Sequence, residues 1–388
     1  MSDAAPAPPS RAAALGFLLR LSLKTALLLL AFNLGWLVLQ PMPTLGRLSV
    51  YGWLVPYRER LPYGESPAAY NLSTDSLETM FATHAVSAPK PADEFRVVVL
   101  GDSATWGILL RPEETLTSQL NALGLLASDG RRMRFYNLAH PIMSLTKDLL
   151  LLDAALPHQP DMVVWLHTLE SFYRPEQLRP PLLLANAPRV RDLAARYRLD
   201  LSLDVLPTPS LFERSFFGQR RLVADWWRLQ AFGAAWTATG IDQIYPQYTP
   251  RRSDFDADIS WKAFRAPADL TPALAFDVVA AADALLGGIP LLLVNQPIFV
   301  SDGQNSQMRY NTWYPRWAFD QFRQLYAQQA AASGWHSLDL WNAVEPDRFT
   351  DSPVHLDAVG AQRLAQALAP WLQAQARPAE PTPPRRPP

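Results

Sequence analysis

Along the chain, apolar and polar positions follow two kinds of pattern. From Ala12 to Leu39 apolar residues fall on every face of a helix, and no charge occurs between Thr25 and Gly46. An all-round apolar run of roughly 20 residues has the length that crosses a bilayer. Arg20 and Lys24 have stems long enough to carry their charges to the headgroups. Residues 12–40 are therefore expected to form a transmembrane anchor, with Trp36, Tyr51 and Trp53 at the membrane interface beyond it. Gln40-Pro41-Met42-Pro43 offers no small-x-small cleavage site, which favours an uncleaved anchor over a removed leader. Arg11, Arg20 and Lys24 precede or enter the run, and Arg47, Arg58 and Arg60 follow it, so the charges alone do not set the orientation. A basic lead-in to an apolar run is the usual export arrangement, and the larger part of the chain is expected outside the cytoplasm.

From Phe95 onward the period changes. Short β-branched or leucine-rich runs (96–100, 133–137, 162–166, 290–294 and a weak 336–340) alternate with helical patterns at 115–126, 145–156, 273–286, 317–333 and 358–372. Continuous apolar strands alternating with helices predict an α/β fold, a three-layer sandwich around a mainly parallel, doubly wound sheet. In such sheets ligands bind at the carboxyl ends of the strands. This domain is assigned to 95–171 and 270–375. Residues 1–11 and 376–388, rich in proline and alanine, are expected to be disordered tails. Pro56, Pro62, Pro67, Pro89 and Pro91 make 41–94 a stalk, and the aromatic, arginine-rich stretch 172–269 reads as an inserted subdomain or lid. Within it, Ser215–Thr239 has helical character and carries Trp226, Trp227, Phe232 and Trp236, as an ordinary packed helix or a second membrane-facing surface.

Composition narrows the chemistry. Lys and Arg number 35 against 36 Asp and Glu, leaving no field to attract nucleic acid. Cysteine is absent, which excludes disulfides, thiolate metal sites and a thiol nucleophile. His140, His158 and His167 show no metal-ligand spacing, and no phosphate loop, dinucleotide fingerprint or zinc-protease helix occurs, so neither a metal nor a cofactor is expected.

Two segments carry candidate chemistry. Gly101-Asp102-Ser103-Ala104-Thr105-Trp106-Gly107 follows the first strand, which sets the Ser103 hydroxyl at the carboxyl edge of the sheet beside backbone N–H groups entering a helix. Asp351-Ser352-Pro353-Val354-His355-Leu356-Asp357 precedes the last helix, which Asp357 is placed to cap. A serine hydroxyl becomes a nucleophile when an imidazole accepts its proton, and a carboxylate must hold that imidazole in one tautomer. The second segment supplies both groups.

Together the segments resemble the SGNH (GDSL) hydrolase family, whose first block is Gly-Asp-Ser-x-x-x-Gly and whose last is Asp-x-x-His before a helix. The resemblance spans about 95–372 without the insertion and implies Ser103 as nucleophile, His355 as base and no cofactor. Three departures stand out. Ser352 occupies the position of the family aspartate, so the acid is assigned to Asp351. The second block lacks the glycine that gives an oxyanion N–H, and Ile142, in Asn137–Ser144, is assigned that role through its backbone. The third block reads His167-Thr168-Leu169-Glu170 and lacks the asparagine donor, for which Thr168 or Asn295 is the candidate substitute. Trp106, Asn137, Gln296, Tyr310, Arg316 and Trp317 are candidate substrate contacts; for the loop after the fourth strand, simple packing is the competing reading. The resemblance implies ester hydrolysis or O-acyl transfer on an acyl ester or polysaccharide of the cell envelope. A catalytically inert carbohydrate-binding protein, or a structural member of a membrane complex, is the alternative.

Overall fold

A computed structural model of the chain describes residues 10–64, 74–235 and 249–376. Helix α1 (Arg11–Leu39) is followed by α2 (Leu77–Thr83), β1 (Glu94–Leu100), α3 (Leu116–Ala122), β2 (Arg132–Asn137), α4 (Leu145–Ala155) and β3 (Met162–His167). Then come α5 (Ala187–Tyr197), α6 (Phe216–Arg228), α7 (Phe276–Leu286), β4 (Leu291–Asn295), α8 (Arg316–Ser333), β5 (His336–Asp339) and α9 (Ala358–Gln375). The five strands pair in parallel in the order β2-β1-β3-β4-β5. This is the flavodoxin-like doubly wound order, in which the chain changes direction between β1 and β3 and opens a crevice there.

Alternation along each strand divides the core into two layers. Val98 and Leu100 of β1, Val163 and Trp165 of β3, and Leu291 and Leu293 of β4 face α4, α7 and α8, with α2 and α5 completing that side. Val97, Val99, Val164, Leu292 and Val294 face α3 and α9. β1 and β3 are buried on both faces, as their unbroken apolar sequence requires.

Several boundaries differ from expectation. The described residues of 41–94, namely 41–64 and 74–94, are not a free stalk: Leu61, Leu77, Met80, Phe81 and Val86 belong to the main core, and Pro67 lies outside the described residues. The apolar residues at 77, 80 and 81 share one face of α2, and the prolines interrupt the backbone without preventing that face from docking. Nor is 172–269 a separate subdomain as a whole, because Leu182, Leu183, Val190, Leu193, Leu206 and Trp261 join the same core. Within it α6 runs on through a π-helical turn, Leu229–Gly233, against the end of α1; Trp236 lies outside the described residues. Of the supposed disordered ends, 1–9 and 377–388 also lie outside them, whereas Arg11 begins α1 and Ala376 is buried. Trp36 and Tyr51 are covered by protein rather than set at a lipid interface: Trp36 donates to Gln219 and Tyr51 to the Leu229 carbonyl.

α1 is long and apolar enough to cross a membrane, and no residue of its apolar window is buried. Such a helix near the N-terminus serves as an anchor or a signal sequence.

Three histidines sit in the core. His84 accepts from Val86 N at Nδ1 and faces the Glu59 carbonyl through Nε2, which fixes its neutral tautomer. Burial pushes His84, His140 and His167 each from 6.5 down to about 3.

Two outcomes follow from this packing. Leu61→Ala is expected to cost about 2–5 kcal/mol in urea unfolding, the range for a fully buried leucine; a stalk position would tolerate it. The histidines bind protons in the unfolded chain first, so their share of stability is whole above 6.5 and is lost as pH falls towards 3, by at most ~1.4 kcal/mol per pH unit for each. Asp148, raised by burial from 3.8 to about 6, works the other way between those two values and offsets one of the three protons. The urea midpoint should therefore be flat above neutrality and fall through the mildly acidic range, with His158, also lowered by burial and by Arg96, adding to the loss. A midpoint that stays constant through that range contradicts the neutral burial of these rings.

Candidate active site

β1 ends at Leu100 in the middle of the sheet, and the chain turns sharply into the one-turn helix Ser103–Trp106. Two glycines make this turn possible. At Gly101, with φ of +157°, an added Cβ would lie 2.4 Å from Thr105 Oγ1. At Gly107 the chain leaves the helix with φ of +90°, a conformation that suits a residue without Cβ. Asp102 caps the turn by accepting from Ala104 N at 2.7 Å, and its other oxygen accepts from Gln296 Nε2 at 2.9 Å. Asp102 is thus spent on the turn. The N–H of Ser103 lies in the first turn of the helix, where no intrahelical acceptor is available.

The loop before α9 meets this turn. His355 Nε2 is 2.8 Å from Ser103 Oγ, and His355 Nδ1 is 2.7 Å from Asp351 Oδ1. With Nδ1–H donating to the carboxylate, Nε2 is left to accept the serine proton. The Thr350 hydroxyl also donates to Asp351 Oδ1, at 3.2 Å. Desolvation would raise the Asp351 carboxyl, but its hydrogen bonds to His355 and Thr350 and the charge of His355 hold it below the usual carboxylate range. Thr350 N donates to the His355 carbonyl, and Asp357 caps α9 at Gly360 N, so the loop is pinned on both sides of the imidazole. Ser352, at the place of the family aspartate, accepts from Val354 N. The i, i+4 spacing of Asp351 and His355 brings acid and ring together across the Pro353 turn.

In the loop after β2, Ile142 has φ of +72°. A β-branched residue in the left-handed region is strained, and such strain persists where surrounding contacts demand that backbone orientation. Two residues before it, the same loop is held at the His140 carbonyl by Lys147, fully buried in the first turn of α4. Its ammonium donates to the Gly101 carbonyl at 2.9 Å and to the His140 carbonyl, and pairs with Asp148 at 2.9 Å. Asp148 in turn accepts from Trp165 Nε1 at 2.9 Å. One cation therefore ties the end of β1 to the loop after β2.

Other expected site residues serve the fold. Trp106 is buried, donates to the Leu61 carbonyl and stacks under the Arg60 guanidinium at 4.2 Å. Asn137 donates to the Thr105 carbonyl and accepts from Ala139 N. Both support the serine turn from behind, which corrects their assignment as substrate contacts. Asn295 donates to Asp339 at 2.8 Å, towards β5 and away from β1, which removes it as an oxyanion donor. Gln296 holds Asp102 rather than substrate. Tyr310 donates to Asp320 under the Arg316 guanidinium, Arg316 donates to the Ser306 carbonyl, and Trp317 donates to the Ile259 carbonyl. All three lock the loop after β4 onto the core. Thr168 caps the short helix Leu169–Phe172, with its hydroxyl buried beside that of Tyr314.

Sequence reasoning passed over two residues. Arg60, in the supposed stalk, donates to the Gly107 carbonyl at 2.7 Å and so holds the far end of the serine turn. Lys147 was hidden inside a leucine helix; its signal is a Lys-Asp pair on the first turn of a leucine-rich segment.

No protein-family model matches the sequence, nor does any curated protein. Solved structures similar to it include Est24, a carbohydrate acetylesterase from Sinorhizobium meliloti, at 15% identity over 72% of this chain and 98% of that one, with a TM-score of 0.34. A lipase/acylhydrolase from Enterococcus faecalis is similar at 12% identity over 74% and 98%, TM-score 0.34. The aryl esterase of M. smegmatis is similar at 14% identity over 72% and 99%, TM-score 0.32. In its strand order, its Gly-Asp-Ser-x-x-x-Gly turn and its late Asp-His loop, this α/β chain resembles the GDSL/SGNH hydrolases.

Proposed function

We propose that the chain is a membrane-anchored serine esterase or O-acyltransferase that works through an acyl-serine. The observation that carries this reading is the unbroken relay from the Ser103 hydroxyl through His355 to Asp351, with separations of 2.8 and 2.7 Å. Ser103 Oγ attacks the acyl carbonyl while His355 Nε2 takes its proton; Asp351 holds the ring and stabilises the imidazolium that forms. The tetrahedral oxyanion is met by the N–H groups of Ser103 and Ile142, with the Thr168 hydroxyl as the third donor in place of the missing asparagine. On collapse the C–O bond to the leaving alcohol breaks, and His355 returns the proton to that alcohol. Water, or a hydroxyl of an envelope carbohydrate, then gives its proton to His355 and attacks the acyl-serine; as that intermediate collapses the acyl–Oγ bond breaks, His355 returns the proton to Ser103, and the acyl group leaves on the acceptor. Lys147 sets the distance between the two backbone donors, and α1 holds the site beside the membrane. The missing asparagine favours one rival, an inert carbohydrate-binding protein on the same fold.

Full-length protein in detergent, assayed with acetyl and longer-chain nitrophenyl esters, distinguishes these readings. Ser103→Ala and His355→Ala should each lower kcat by roughly 10⁴–10⁶, and Asp351→Asn by about 10⁴. Ser352→Ala should leave the rate near that of the parent. Adding a polysaccharide acceptor should divert acyl groups from water if the chain is a transferase. Loss of activity on Ser352→Ala with retention on Asp351→Asn would reverse the assignment of the acid, and equal turnover by Ser103→Ala would remove the enzyme reading.

A further inference from the structure

We infer that the segment Leu211–Phe232, together with the turn that carries Trp53 and Leu54, is a second membrane contact, seated in the headgroup layer of the bilayer that α1 enters. The inference rests on reading α1 as a membrane helix.

α6 has no buried face. None of its 13 residues is buried, although it contains two phenylalanines and two tryptophans. Phe212 is 64% exposed, Trp227 61%, Phe232 55% and, on the neighbouring turn, Trp53 78%. Solvent-facing aromatics of this density on one small unit mark an interaction surface rather than scatter.

The last turns of α1 and its C-cap carry Asn33, Trp36 and Gln40, and these bind the segment directly. Asn33 accepts from Phe217 N, Trp36 donates to Gln219, and Gln40 donates to the Arg214 carbonyl. Phe216 packs edge-on against Phe32 and Trp36 at 5.0 and 5.1 Å. Further along, Gln230 accepts from Val50 N and Trp226 donates to the Leu48 carbonyl, which joins the Trp53 turn to the same unit. With 29 residues, α1 is about 44 Å long against a hydrocarbon core of about 30 Å, so part of its length must lie in the interfacial layers. The segment is fixed to the end of α1 that leads into the folded domain, so it travels with the membrane helix.

Between Leu211 and Phe232 stand Arg214, Arg220, Arg221 and Arg228 against Glu213 and Asp225. Aromatics interleaved with a basic excess suit a bilayer surface with anionic headgroups, where rings enter the acyl boundary and guanidinium groups meet phosphate. A partner protein's apolar groove would have little use for arginines spread among the exposed rings.

The chain contains no cysteine, so single-cysteine variants can carry a nitroxide at chosen sites. Phe212→Cys and Trp227→Cys are compared with Leu28→Cys in α1 and with Trp371→Cys, exposed on α9, which covers the opposite face of the sheet from α2. The labelled full chain is reconstituted in phosphatidylcholine–phosphatidylglycerol vesicles, and collisions with dissolved oxygen and a water-soluble nickel chelate are measured. The expected result is several-fold lower nickel-chelate accessibility and higher oxygen accessibility at 212 and 227 than at 371. Water-like values at 212 and 227 with a lipid-embedded 28 would overturn the inference while leaving the anchor intact, and would make a protein partner the occupant of this face. Water-like values at 28 as well would remove the anchor and the inference together. As a second measure, in a chain labelled at Trp53→Cys, adding Phe212→Ser with Trp227→Ser should raise the nickel-chelate accessibility of the label; no change there would also count against a shared interface.

Discussion

The hydrogen bond from the Ser103 hydroxyl to His355 joins segments 252 residues apart, and the architecture is what allows them to meet. A parallel sheet in the order 2-1-3-4-5 puts the end of β1 at the switch point, where neighbouring connections leave in opposite directions and open a crevice. The return from β5 through the Asp351–His355 loop to α9 ends above that crevice, because α9 packs on the same side as α3, which follows the serine turn. Neither group has to be brought from a flexible tail. Both stand on the ends of regular elements, where position is set by the core.

Around that contact the chain spends many buried polar groups on holding backbone. Arg60 and Asn137 engage the carbonyls of the serine helix, Asp102 and Gln296 fix its start, and Lys147 binds the carbonyls of Gly101 and His140. A buried ammonium is costly unless its donors are matched, and Lys147 finds two carbonyls and the Asp148 carboxylate. The cost has a structural consequence: the turn and the loop cannot drift apart without stranding a charge in the core.

The parts of this arrangement visible in the sequence are those encoded locally. Unbroken runs such as Val97–Leu100 and Met162–Leu166 announce buried parallel strands, and both candidate segments carry their reactive groups within seven residues. What sequence did not reveal depends on side-chain direction in three dimensions. Trp106, Asn137, Tyr310, Arg316 and Trp317 stand near the sheet edge by position, yet each turns inward to a carbonyl or carboxylate of the fold itself. Asn295 was a candidate because it ends a strand, but residues that end adjacent strands face one another, and Asp339 takes its amide. Prolines between 56 and 91 suggested a stalk because they break helices; they do not prevent single side chains such as Arg60 and Leu61 from reaching the core.

The account stands on the nucleophilic character of Ser103, and a fluorophosphonate tests it without assuming a substrate. The reagent forms a bond from phosphorus to an activated serine oxygen with loss of fluoride. Treating the full chain and mapping the adduct by peptide mass spectrometry should place it on Ser103, with labelling greatly slowed by His355→Ala. A folded chain that takes no label, or takes it elsewhere with Ser103 untouched, would contradict the relay and the esterase reading with it.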